Sequence, residues 1–105
     1  MIVHILKFNA KAGKEKTVHK IIRKYLHQLR EEEHTGMSYH SFRDAADKRH
    51  FIHIEIFETE EAVAKYQQSE ELKSYVHRLS TVVDGVLDYH KVENFAFYQG
   101  RVMQE

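Results

Sequence analysis

The chain has 105 residues, with 16 basic and 16 acidic side chains, nine histidines, no cysteine and no proline. That length predicts a single domain over residues 1–105, large enough for one modest core that an obligate dimer would enlarge. The balanced charge gives none of the basic excess that nucleic acid or an anionic membrane attracts, and the lack of cysteine excludes disulfides, thiolate nucleophiles and cysteine metal sites. No apolar run has the length of a signal peptide or a membrane span, so a cytoplasmic protein is the simplest expectation.

The elements follow in chain order. "MIVHILKF" opens with a first strand of apolar, partly β-branched residues. After Gly13, Val18, Ile21, Ile22, Tyr25, Leu26 and Leu29 recur at helical spacing, which predicts a helix from about 14 to 33. Lys14 and Lys16 at its start and Glu31, Glu32 and Glu33 at its end oppose the helix dipole, so packing must hold it. "MSYHSFRD" is a second strand, and "DAADKR" is a polar connection too long for a two-residue turn.

"HFIHIEIFE", residues 50–58, is the third strand. Ile52, Ile54 and Ile56 share one face, and Phe51, His53, Glu55 and Phe57 share the other. Neither face suits water. Thr59 with Glu60 and Glu61, and Ser69 with Glu70 and Glu71, are N-cap signatures of two helical segments. The second carries a stripe of Leu72, Val76, Leu79 and Val83, widened by Tyr75 and Val82 and ended by Gly85. "VLDYHKVENFAFYQ" then reads as a long final strand.

This order predicts an α+β, ferredoxin-like β-α-β-β-α-β fold, an antiparallel sheet with its helices on one face. The other face needs a cover, and a second copy of the chain is the expected one, giving a homodimer.

The run "YHSFRDAADKRHFIHIEIFETEEAVAKYQQSEELKSY" resembles the antibiotic biosynthesis monooxygenase (ABM) family of dimeric α+β barrels. The likeness rests on Tyr39 early in strand two, Arg43 and Asp44 at its end, Glu55 and Phe57 closing strand three, and Tyr66 and Ser69 beyond it. It implies cofactor-independent monooxygenation of a small aromatic or quinol-type molecule in a cavity between sheet and helices. No cofactor is expected. Haem degraders of the family carry an asparagine where this chain has Leu6, a tryptophan where it has Tyr66, and an axial histidine at or beside Val76, with His77 one residue off. Leu87, Asp88 and Tyr89 also resemble the stress-responsive A/B barrel proteins, which include polyketide cyclases and members without catalysis. A polyketide-cyclase-like or haem-handling enzyme and a non-catalytic ligand-binding or stress-response dimer are therefore the competing readings.

The residues themselves leave several chemistries open. His53 and Glu55 share a strand face, and His4 joins them if strands one and three are neighbours. His53 near pKa 7 is a candidate base with Glu55 as its orienter, and the three together are a candidate facial metal triad. The bland alternative is a buried His–Glu pair that satisfies its own hydrogen bonds, and no native metal is expected. Tyr39 and Arg43 share a parity and are candidate substrate contacts, as are His4, Phe57, Tyr66 and His77. Periodicity does not say which face of strand three meets the helices; the resemblance implies the His4 and His53 face, with the isoleucines in the dimer barrel.

Overall fold

Alternation in the strands and 3.6-residue periodicity in the helices sort the chain into two layers. A computed structural model describes residues 1–103. Its elements are β1 (Ile2–Ala10), α1 (Glu15–Glu32), β2 (Met37–Arg43), β3 (His50–Phe57), α2 (Glu60–Gln67), α3 (Glu70–Ser80) and β4 (Val83–Val92). The four strands form one antiparallel sheet in the order β2-β3-β1-β4. This is the ferredoxin-like arrangement, with the second helix broken into α2 and α3.

The alternation settles the faces. Phe51, His53, Glu55 and Phe57 of β3 are buried, as are His4, Leu6, Phe8 and Ala10 of β1. They meet Val18, Ile22 and Tyr25 of α1, Val63 and Tyr66 of α2, and Tyr75 and Leu79 of α3. Each Val, Leu, Ile or Phe side chain among them contributes about 1.5–3 kcal/mol by leaving water. The helix ends behave as their side chains dictate. Thr59 Oγ1 accepts from the Ala62 N–H at 3.1 Å, and Ser69 Oγ accepts from the Leu72 N–H at 3.3 Å. Lys14 gives α1 no side-chain cap, so α1 rests on its buried stripe.

The opposite sheet face is uncovered in the protomer. Directly paired residues build three rows across it: Phe42–Ile52–Lys7–Asp88, His40–Ile54–Ile5–His90 and Ser38–Ile56–Val3–Val92. Its centre is aliphatic, and charge appears only towards one edge.

The C-terminal part departs from expectation. Val82 and Val83 do not belong to the last helix. The Thr81 N–H bonds back to Arg78, a tightened last turn, and Val83 pairs with Ala10 as the start of β4. An apolar Val-Val pair fits either a helix stripe or a strand, which is why periodicity misassigned it. Gly85 lies inside the strand, not at a helix end. Asn9 pairs with Asp84 and Lys7 with Asp88, so residues 85–87 stand against Phe8 alone, and Gly85 supplies the φ of +83° this bulge requires. The strand also stops at Val92, whose partner Val3 lies beside the start of β1, so nothing remains to pair with "FAFY". Phe95, Phe97 and Tyr98 are 99%, 77% and 91% exposed.

Candidate functional site

A cavity of about 320 Å³ lies between the sheet and the α2–α3 segment. Leu6 comes from β1, Tyr39 from β2, Glu55 from β3, Leu87 and Tyr89 from β4, Tyr66 and Gln67 from α2, and Leu72, Tyr75 and Val76 from α3. The walls are mainly apolar and aromatic. Glu55 is the one ionisable carboxyl among these lining residues, and four tyrosine hydroxyls accompany it. Such a mixture, an apolar slot with a few convergent polar groups, suits a flat molecule with hydroxyl or carbonyl oxygens. Val76 and Tyr89 of the lining are 40% and 44% exposed.

Glu55 is 4% exposed. Burial pushes its carboxyl above the ordinary carboxylate range, while hydrogen bonds from Tyr89 and Tyr66 pull it partly back. Tyr89 Oη donates to Glu55 Oε1 at 3.1 Å and is also hydrogen-bonded to His4 Nδ1. One hydroxyl has one proton. With that proton on Glu55, His4 Nδ1–H is the donor to Tyr89 and His4 Nε2 carries a bare lone pair. Nε2 is indeed buried without a partner among the described residues. His4 Nδ1 also stands 3.7 Å from Glu55 Oε1, but burial, helped by Lys91, lowers its pKa, so this is a contact with neutral imidazole more than an ion pair.

His53 belongs to a second cluster. It is fully buried, and burial alone pushes its imidazole down to about 4. Its Nδ1 is 2.5 Å from Tyr39 Oη and its Nε2 is 3.0 Å from Ser41 Oγ. Tyr39 Oη lies 3.2 Å from Tyr75 Oη. Behind both clusters, Tyr25 donates to Tyr66 at 2.6 Å and stacks on Tyr75 with ring centroids 3.9 Å apart. Burial raises the pKa of all five of these tyrosines, Tyr25, Tyr39, Tyr66, Tyr75 and Tyr89, so their hydroxyls stay protonated at neutral pH.

The sequence-predicted residues sort clearly. Tyr39, Glu55 and Tyr66 line the cavity. His4 and Phe57 stand behind it, with ring centroids 5.2 Å apart and Phe57 against Tyr66. Arg43 lines a separate outer groove with His19, Ile22, Ser41, Phe42 and Phe51, and His77 is exposed on α3. The expected His53–Glu55 pair is corrected. Among the described residues no hydrogen bond joins them, because side chains two apart on a strand start about 7 Å apart. The ladder gives each its own opposite residue, His4 for Glu55 and Leu6 for His53. His53 also lacks the expected pKa near 7. Among the described residues no three His, Asp or Glu side chains converge on a metal position.

Three contributors escaped the sequence reading: Ser41, Tyr89 and Tyr75, which the helix stripe presented only as a packing residue. Ser41 shares the parity of Tyr39, and the spacing Tyr39–Ser41 was the available signal. Tyr89 was hidden by the Gly85 bulge, which shifts the parity of β4, although Leu87 and Tyr89 alternate as cavity residues should.

Comparison with known proteins decides the family. The family model described as antibiotic biosynthesis monooxygenase matches residues 1–78. The chain belongs to the ABM family. Solved structures agree on the fold. A candidate ABM protein from Nitrosomonas europaea is 15% identical, superposes with a TM-score of 0.80, and the match covers 91% of this chain and 100% of that one. A candidate ABM protein from Deinococcus radiodurans is 16% identical at a TM-score of 0.78, covering 99% and 100%. A conserved protein from Methanosarcina mazei is 14% identical at 0.78, covering 87% and 89%. No curated protein matches the chain. Identities this low speak for fold alone, so the chemistry must come from the cavity.

Proposed function

We propose that this ABM chain is a cofactor-independent monooxygenase of a small phenolic or quinol-type molecule, working as a homodimer. The observation that carries the reading is Glu55, the lone carboxyl on the wall of an apolar, tyrosine-lined cavity. A base whose pKa is raised towards neutrality is better matched to a phenol than an exposed carboxylate is. Glu55 therefore takes the role of base, and Tyr39, Tyr66 and Tyr75 are the hydroxyls that hold substrate oxygens. Removal of the phenolic proton makes the ring electron-rich enough to react with dioxygen. One oxygen atom is then bonded to ring carbon, the other leaves as water, and the substrate supplies all four electrons. No helix of the described residues is long and apolar enough to cross a membrane, and the reading needs no membrane.

The dimer is supported by the uncovered aliphatic rows of the sheet and by the exposed aromatic residues beyond β4. Covering both with a second copy removes an apolar patch of the kind monomers rarely display. Light scattering at micromolar concentration is expected to give about twice the 12.5 kDa of one chain; a mass of one chain excludes the dimer.

Oxygen uptake with a panel of benzo- and naphthohydroquinones tests the activity. The protein is expected to accelerate uptake above autoxidation, and Glu55→Gln to slow it by about 100-fold or more. A panel that binds without any enzyme-dependent uptake leaves a ligand-holding dimer and removes the oxygenase.

A further inference from the structure

We propose that Tyr39, His53 and Ser41 form a proton conduit between the cavity and the outer groove beside β2. The proposal deepens the reading above, since it gives a proton released in the cavity a way out. Three observations carry it. Tyr39 lines the cavity while Ser41, half-buried, lines the separate groove of about 220 Å³, and His53 lies between them with no surface of its own. The chain is continuous: Tyr39 Oη to His53 Nδ1 is 2.5 Å and His53 Nε2 to Ser41 Oγ is 3.0 Å, with Tyr75 Oη a second cavity hydroxyl 3.2 Å from Tyr39. Both partners of the imidazole are hydroxyls.

The last point separates a conduit from a structural histidine. A carbonyl or carboxylate beside one ring nitrogen accepts only, and fixes the N–H there. A hydroxyl donates or accepts with equal ease, so both tautomers of His53 are fully hydrogen-bonded. In one, Tyr39 donates to Nδ1 and Nε2–H donates to Ser41. When Tyr39 receives a proton from the cavity, its own proton passes to Nδ1, the Nε2 proton passes to Ser41, and the Ser41 proton passes to water. One proton has crossed, Tyr39 and Ser41 are unchanged, and His53 has exchanged tautomers; the same steps in reverse carry a proton from the groove back to the cavity, where the formation of water consumes one, and return His53 to its first tautomer. The depressed basicity of His53 supports this, because a neutral ring is the species that relays. The groove and the cavity share no lining residue, so a ligand that fills the cavity leaves this exit open. His53 is thus a relay and not a group that touches substrate.

The experiment needs no substrate, so its outcome is separable from that of the oxygen-uptake assay. In uniformly ¹⁵N-labelled protein at pH 7, exchange of the His53 ring N–H with water is measured by saturation transfer. Ser41→Ala, at a half-exposed position, is expected to slow this exchange at least about tenfold, since a buried N–H without a route must wait for local opening. Ser41→Thr, which keeps the hydroxyl, is expected to restore it, and backbone amide spectra report that the fold is intact. Exchange in Ser41→Ala within twofold of the parent, or equal slowing in Ser41→Ala and Ser41→Thr, overturns the conduit.

Discussion

Each edge strand sends one tyrosine to a buried histidine on the neighbouring central strand. Tyr39 of β2 meets Nδ1 of His53, and Tyr89 of β4 meets Nδ1 of His4. The pairs then diverge at Nε2. His53 finds Ser41 there, whereas His4 finds no partner among the described residues. Tyr89 also reaches Glu55, while Tyr39 reaches only another tyrosine. The same two side chains thus serve two purposes. Where the second nitrogen is satisfied, the pair is a closed network on which folding and proton passage depend. Where it is bare, the pair matters through the carboxyl it steadies.

The comparison predicts unequal responses to one substitution. His53→Phe removes two hydrogen bonds, each worth about 1 kcal/mol, and leaves the Tyr39 hydroxyl only its longer bond to Tyr75. A loss of about 2–3 kcal/mol in urea unfolding is expected. His4→Phe removes a polar atom that was already unpaired and leaves Tyr89 its bond to Glu55, so its loss should stay within about 1 kcal/mol. Equal losses would end the distinction.

A second effect sharpens it through pH. The folded pKa of His53 is about 4, below its unfolded value of 6.5. The unfolded chain therefore binds the proton first, and the stability linked to His53 is complete above pH 6.5 and is lost as pH falls towards 4. The shift corresponds to about 3 kcal/mol. His4 acts in the same sense, and Glu55, with its raised pKa, in the opposite one. The gap between the parent and His53→Phe should accordingly narrow by about 3 kcal/mol between pH 7.5 and pH 4, measured by urea midpoints at each pH. A gap that does not change with pH would mean that His53 titrates normally.

Much of the fold was legible because local signals agreed with one another. Thr59 and Ser69 announced their helices through oxygen acceptors that the first-turn N–H groups need. The alternation in "HFIHIEIFE" reported a strand with Phe51, His53, Glu55 and Phe57 on one face, the face that is buried. The reading failed where one pattern fits two structures. Val82 and Val83 suit a helix stripe as well as a strand, and "FAFY" has strand composition but no neighbour to pair with. The site was half legible for a related reason. Strand parity put His4, His53 and Glu55 on one face, yet hydrogen bonding depends on which cross-strand residue stands opposite. That is fixed by register, and for Tyr89 by a bulge at a single glycine.

The arrangement of tyrosines has an optical consequence. The chain contains no tryptophan and six tyrosines, so its near-ultraviolet absorption and intrinsic emission are tyrosine signals. Four of the six line the cavity and a fifth, Tyr25, is stacked on one of them; only Tyr98 lies elsewhere, almost fully exposed beyond β4. The protein therefore carries its own spectroscopic label, concentrated around the cavity. Filling of that space can be followed in solution by the emission and circular dichroism of the native chain, with Tyr98→Phe removing most of the background.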